Sequence, residues 1–107
     1  MNINYFEIVS YYLNCIDFIY EDGIIEYGGT KYCYKNNKLH REDGPALEYY
    51  NGDKYWCKNG SLHREYGPAI EYADGEKHWY LNNICYGKNN DFTNESWQKF
   101  IKTLIFS

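Results

Sequence analysis

The stretch Leu39-His40-Arg41-Glu42-Asp43-Gly44-Pro45-Ala46 recurs 23 residues later as Leu62-His63-Arg64-Glu65-Tyr66-Gly67-Pro68-Ala69. Self-similarity at a short fixed period indicates that one small unit has been copied, with neighbouring copies burying surface against each other. We assign residues 21–87 to these repeats. The sequence therefore predicts a mainly β (α+β) fold, in which stacked β-hairpin repeats of 23 residues form an elongated twisted antiparallel sheet.

Turn signals divide the two clearest copies into short strands: Asn51-Gly52, Asn59-Gly60, Asp74-Gly75 and Asn82-Asn83. Asn-Gly is the strongest short hairpin signal, because both residues tolerate the positive φ of a type I′ turn. If every turn is a two-residue loop, Leu47, Trp56 and His63 lie side by side on one face of the sheet. We therefore expect three short strands in each copy.

The chain of 107 residues is expected to form one domain, 1–107, with a cap at each end of the repeats. Residues 1–20 are assigned to an N-terminal cap, with a helix over about residues 5–14 followed by a strand. Residues 88–107 are assigned to a C-terminal capping helix. Thr93 is its N-cap, and an apolar stripe at helical spacing should cover the last repeat: Trp97, Phe100, Ile101 and Leu104.

Composition narrows the functional class. The 15 acidic and 11 basic residues give a formal charge of -4, which does not provide the basic surface that nucleic-acid backbones require. The longest uncharged apolar-rich run, residues 8–16, is far shorter than the ~20 residues of a membrane span. We expect a cytoplasmic protein, in the host cytoplasm if viral, with its four cysteines reduced.

The unit Gly44-Pro45-Ala46-Leu47-Glu48-Tyr49-Tyr50-Asn51-Gly52, with its second copy over residues 67–75, resembles the MORN-repeat variant of bacterial antitoxin-like, phage and giant-virus proteins. Standard MORN units place their Trp three residues before a Gly, whereas Trp56 precedes Gly60 by four. The resemblance implies stacked hairpins and a role in protein association. It also implies lipid-headgroup contact as an alternative role.

The pairs His40-Arg41 and His63-Arg64 are the most catalytic-looking residues, because His can act as a base and Arg can hold an anion. Their recurrence with the repeat favours a structural role, in which the histidine bonds the next Gly-Pro turn and the arginine pairs with a nearby Glu. We class six positions as structural for the repeat: Trp56, His63, Arg64, Gly67, Pro68 and Trp79. Gly67 is expected to adopt a positive φ.

Three cysteines and three histidines could together form a zinc site, but they lack the short ligand spacing of structural zinc sites: Cys33, Cys57, Cys85, His40, His63 and His78. The cysteines are better explained as small buried hydrophobic residues. We therefore expect no metal, no cofactor and no catalytic residue.

Candidate protein-binding residues recur at the repeat period: Glu48, Tyr49, Tyr50, Tyr55, Glu71 and Tyr72. Tyrosine is enriched in interface hot spots, and an acidic strip would attract a basic partner. In the alternative interpretation, Glu48 and Glu71 are neutralised by lysines on a solvated face.

We expect a non-enzymatic protein-binding repeat module whose partner has a basic surface. The resemblance suggests a phage or viral inhibitor of a host defence enzyme, similar in role to anti-CRISPR factors. A small hydrolase or nuclease using His40 or His63, and a structural or lipid-associated MORN-type scaffold, are the two alternatives.

Overall fold

A computed structural model describes residues 22–105, which are mainly β with antiparallel strands and one C-terminal α-helix. The helix and strand predicted within residues 1–20 lie outside this range. The elements in chain order are β1 (Gly23–Tyr27), β2 (Thr30–Lys35), β3 (Lys38–Leu39), β4 (Leu47–Glu48), β5 (Lys54–Tyr55), β6 (Cys57–Lys58), β7 (Ser61–Leu62), β8 (Ile70–Glu71), β9 (Lys77–Leu81), β10 (Ile84–Lys88), a 3-10 turn (Asn89–Asp91) and α1 (Asn94–Ile105).

The main sheet has the strand order β1-β2-β4-β5-β8-β9-β10, with β3 paired to β2, and β6 and β7 form a separate two-stranded sheet. Every pair is antiparallel. The register repeats with the sequence, since Tyr32 lies opposite Leu47, and Tyr55, 23 residues on, lies opposite Ile70. Residues at equivalent positions of the two copies therefore make equivalent strand pairs.

The predicted turn at Asn59-Gly60 is confirmed. Lys58 pairs with Ser61 across this two-residue loop, and both loop residues have positive φ, 51° and 82°. Asn36-Asn37 and Asn82-Asn83 form two-residue loops of the same kind. Neighbouring turns are linked by backbone hydrogen bonds, since Gly60 N–H donates to Leu39 O at 2.8 Å and Asn83 N–H donates to Leu62 O at 2.9 Å.

The predicted loop at Asn51-Gly52 is wrong by one residue. Tyr49 donates its N–H to Asp53 O at 2.9 Å and only Gly52 has a positive φ, 99°, so the loop contains three residues. The Asn51 side chain accepts a hydrogen bond from the Asp53 N–H at 3.0 Å, which favours this wider turn. Leu47 consequently lies opposite Tyr55 rather than Trp56.

The strands give the main sheet two faces, because successive side chains point in opposite directions. One, the tyrosine face, carries an aromatic row of four residues: Tyr49, Tyr55, Tyr72 and His78. The other, the charged face, carries residues of alternating sign on neighbouring strands: Lys31, Glu48, Lys54, Glu71 and Lys77.

The main core lies where α1 packs on Trp79, beside the charged face. Trp79 and Trp97 are 1% and 0% exposed, and Ile101 completes the buried cluster. The predicted N-cap is confirmed, since Thr93 Oγ1 accepts the Ser96 N–H at 3.0 Å. Leu104 was expected to share this core, but it is 39% exposed and is not part of the buried cluster.

Gly67 has no positive φ, so the reason predicted for this glycine is wrong. A Cβ at Gly67 would instead lie 2.8 Å from Arg64 Cζ. The guanidinium is held in that place, since its Nη1 donates to Pro68 O at 3.1 Å and to Glu71 Oε1 at 3.2 Å. Glycine is needed here because the arginine packs directly on the backbone.

We expect Trp97→Ala to lower the free energy of unfolding by about 3–5 kcal/mol, because it empties the most buried position of the core. Urea denaturation followed by far-UV circular dichroism measures this change. Leu104→Ala is the matched control on the same helix and should cost less, because this side chain is 39% exposed. Equal losses in the two variants would contradict this description of the core.

Candidate functional site

The two histidines of the repeated motif are held by the asparagine turns of the following sequence copy. His40 Nδ1 accepts the Asn59 N–H at 3.0 Å, and His63 Nδ1 accepts the Asn82 N–H at 3.1 Å. The prediction that they bond the Gly-Pro turn is therefore wrong, because strand pairing brings each histidine beside the asparagine turn instead. While Nδ1 accepts this bond, its lone pair is not available for removing a proton from a substrate.

The proton of each neutral imidazole consequently lies on Nε2, which faces a carboxylate. His40 Nε2 is 2.9 Å from Glu42 Oε1, and His63 Nε2 is 3.7 Å from Glu65 Oε2. The pair at His40 has the geometry of a hydrogen bond and the pair at His63 is longer. Each ring is therefore oriented on both sides by groups of the protein.

The two arginines pair with carboxylates in different ways. Arg64 meets Glu71, as predicted, and its Cζ also lies 3.8 Å from the centre of the Trp56 ring. Arg41 bonds Asp43 at 2.7 Å instead of a glutamate. This hydrogen bond holds the pKa of the Asp43 carboxyl below its ordinary value. Both arginines thus have partners in the folded chain.

On the charged face, neighbouring strands bring opposite charges together. Glu48 lies opposite Lys31 on one side and Lys54 on the other, and Glu71 lies opposite Lys54 and Lys77. The two glutamates therefore do not adjoin each other as an uninterrupted acidic strip. They also lie on the face opposite to the tyrosines with which the sequence analysis grouped them.

On the tyrosine face, aromatic rings contact one another edge to face. The ring centres are 5.6 Å apart for Tyr49 and Tyr55, 6.2 Å for Tyr55 and Tyr72, and 5.5 Å for Tyr72 and His78. Burial, followed by the neighbouring Tyr72, raises the pKa of Tyr55 to about 12. Tyr50 is not part of the row; it lies on the adjacent turn and is 78% exposed.

Two acidic hairpin turns, residues 49–53 and 72–76, border the aromatic row. They contain Asp53, Asp74 and Glu76 and no lysine or arginine. Asp53 Oδ1 accepts the Ala73 N–H at 2.8 Å, and Asp74 Oδ1 accepts the Glu76 N–H at 2.9 Å. The sequence analysis missed these carboxylates, although their positions in turns next to tyrosines were a usable signal.

An open cleft of about 470 Å³ separates two loops of the repeated motif, residues 41–45 and 63–66. Trp56 and Lys58 lie between these loops and also line the cleft. The sequence analysis did not find this cleft, because its walls come from segments that are distant along the chain.

The described cysteines Cys33, Cys57 and Cys85 are free thiols. Burial raises the pKa of the Cys57 thiol to about 11, so this group is un-ionised near neutral pH. Residues 22–105 contain no cluster of three His, Cys, Asp or Glu side chains that could hold a metal ion. In the same range, no helix combines the length and apolar character needed to cross a membrane.

No protein-family model, curated protein or solved structure matches this chain. The resemblance to MORN repeats therefore stays a prediction from the sequence.

Replacing each histidine by alanine should reveal how its turn is held. His40 is 7% exposed and its bond to Asn59 is partly buried, whereas the bond of His63 to Asn82 is exposed to water. An unpaired buried donor costs about 1–3 kcal/mol, so His40→Ala should lower the free energy of unfolding by more than His63→Ala. Urea denaturation compares the two, and a larger loss for His63→Ala would contradict this assignment.

Alkaline titration tests the aromatic row. Because the pKa of Tyr55 is raised to about 12, the folded state keeps a proton that the unfolded state loses above about pH 10. Stability should therefore fall between pH 10 and 12, and Tyr55→Phe should make the fall smaller. Urea midpoints measured across this range check the effect, with exposed Tyr50→Phe as the control. An unchanged pH dependence in Tyr55→Phe would contradict it.

Proposed function

We propose that this chain is a non-enzymatic protein-binding module whose tyrosine face receives the partner. The observation that carries the proposal is the aromatic row, which lies on the side of the sheet opposite to α1. Trp79, whose ring contacts α1, alternates along β9 with His78, which belongs to the row. Tyrosines combine a large apolar ring with a polar hydroxyl, a combination enriched at interface hot spots.

The partner is a protein with a basic rim around an apolar patch. The acidic hairpin turns place negative charge at one border of the aromatic row, with no cation in either turn. Complementary charge steers association and selects partners more than it adds affinity. The apolar patch would cover the rings while the basic rim meets Asp53, Asp74 and Glu76.

We further propose that the chain presents this surface by stacking copies of one 23-residue unit in an elongated twisted sheet. The equivalent pairs of Tyr32 with Leu47 and of Tyr55 with Ile70 support this arrangement. In such a stack each unit contributes similar side chains to one continuous face. The MORN-like sequence pattern supports a role in association, and the inhibition of a host enzyme would be one such role.

The contacts of the histidines support a binding function over a hydrolase or nuclease. Both Nδ1 atoms accept a backbone N–H, and the Nε2 of each faces a carboxylate of its own loop. These contacts explain why the residues recur with the repeat without requiring a reaction.

The proposal is tested with a partner captured from the native host by the immobilised chain and then purified. Tyr49→Ala, combined with Asp74→Lys and Glu76→Lys, should weaken binding at least tenfold, because it removes an exposed ring and reverses the acidic border. In the same variant the association rate should become less dependent on salt. Surface plasmon resonance at two ionic strengths measures both changes.

Glu48→Lys is the matched control, because it reverses a charge on the opposite face. Binding by this control should equal that of the wild type, and far-UV circular dichroism should show that all variants are folded. Unchanged binding by the triple variant, or an equal loss in the control, would overturn the placement of the interface on the tyrosine face.

A further inference from the structure

Trp97 of α1 fills a slot that is lined by Arg64, Trp79, Tyr86 and Phe92. Its Nε1 donates to Arg64 O at 2.8 Å, and its ring centre lies 5.5 Å from that of Trp79 and 6.1 Å from that of Tyr86. Phe92 closes the slot, with its ring centre 4.9 Å from that of Trp97. The indole is completely buried.

The open cleft has the same walls one copy earlier in the sequence. Arg64, Trp79 and Tyr86 are each 23 residues after a residue that lines the cleft: Arg41, Trp56 and His63. The cleft between residues 41–45 and 63–66 is therefore the counterpart of the slot that Trp97 occupies.

Arg64 lies beside Trp56 in the way that Phe92 lies beside Trp79. The Arg64 guanidinium lies 3.8 Å from the Trp56 ring centre, and the equivalent residue 23 positions later is Gly87. A side chain at Gly87 would meet Phe92, since its Cβ would be 2.9 Å from that ring. Trp56 and the planar Arg64 guanidinium therefore line the cleft, and the position that corresponds to Trp97 is open.

The residues around the cleft indicate which kind of side chain it favours. The Trp56 ring lines the open cleft, whereas Trp79 is 1% exposed and its indole N–H donates to Asn89 O at 3.1 Å. The lining carries three carboxylates and three cations, so its charge selects no sign for the partner: Glu42, Asp43, Glu65, Arg41, Lys58 and Arg64. The Arg64 guanidinium over the Trp56 ring instead favours an aromatic group, because a cation is attracted to the face of such a ring.

We infer that the cleft is a second binding site, which receives a tryptophan side chain from a helical segment of a partner protein. The indole would lie against Trp56 and the Arg64 guanidinium, as Trp97 lies against Trp79 and Phe92. Its N–H would point to the carbonyl of Arg41, the counterpart of Arg64 O. This site is separate from the tyrosine face and does not depend on it.

The probe for this site is N-acetyl-L-tryptophanamide, titrated into the ¹⁵N-labelled chain. Its addition should shift the indole N–H signal of Trp56 with millimolar saturation, and should leave the indole signals of Trp79 and Trp97 unchanged. N-acetyl-L-leucinamide, which has no aromatic ring, should cause no comparable shift at the same concentration. Equal shifts with both probes, or shifts confined to Trp79 and Trp97, would overturn the proposal.

Tyr66 and Tyr50 provide a matched pair of variants, because they are 73% and 78% exposed and only Tyr66 lines the cleft. Tyr66→Ala should weaken the probe about two- to tenfold, the range expected for one aromatic contact, and Tyr50→Ala should bind as the wild type does. Equal affinity in Tyr66→Ala and wild type would overturn the proposal. The triple variant of the tyrosine face should bind the probe normally, so the two sites can fail independently.

Discussion

Two asparagine turns with positive φ, at residues 59–60 and 82–83, have backbone N–H groups whose acceptors come from the preceding sequence copy. His40 Nδ1 and Leu39 O accept the N–H groups of Asn59 and Gly60, at 3.0 and 2.8 Å. The same bonds recur one copy later, where His63 and Leu62 meet the Asn82-Asn83 turn. An unpaired backbone donor is costly where water cannot reach it, so the acceptor contributes most at Asn59, whose bond is partly buried. Each of these two turns is therefore stabilised by the copy before it.

The histidine and the arginine of each motif have different tasks. The histidine fixes the next turn, while the arginine lies over its own Gly-Pro loop; Arg64 also covers Trp56. At the last copy this arrangement changes, because Gly87 stands where an arginine would be, and Phe92 and Trp97 cover Trp79 instead. Aromatic rings of Phe92 and α1 thus cover Trp79, whereas a charged side chain covers Trp56.

Local patterns were readable from the sequence, and contacts between copies were not. Thr93 and Trp97 lie in one continuous helical pattern, so the cap and the buried face of α1 could be predicted. Asn51-Gly52 and Asn59-Gly60 are the same dipeptide, yet the bond from Asp53 N–H to the Asn51 side chain gives the first a wider turn. The extra residue in this turn changes the cross-strand partner of Leu47, because register determines every cross-strand contact.

In the candidate sites, too, the local patterns could be predicted and the contacts between distant segments could not. Tyr49, Tyr55 and Tyr72 were identified from their recurrence, but their edge-to-face contacts depend on the register that the wider turns create. Glu48 was grouped with them because it is adjacent in sequence, although adjacent residues of a strand point to opposite faces. The cleft could not be foreseen, since residues 41–45 and 63–66 meet only after the sheet has formed.

Gly87 shows that equivalent positions of the sequence copies are not interchangeable. Arg64, 23 residues earlier, lies over the Trp56 ring, whereas a Cβ at Gly87 would lie 2.9 Å from Phe92. A side chain there would displace the ring that packs against Trp79 and Trp97. A substitution that brings one copy closer to its neighbour in sequence can therefore destabilise the fold.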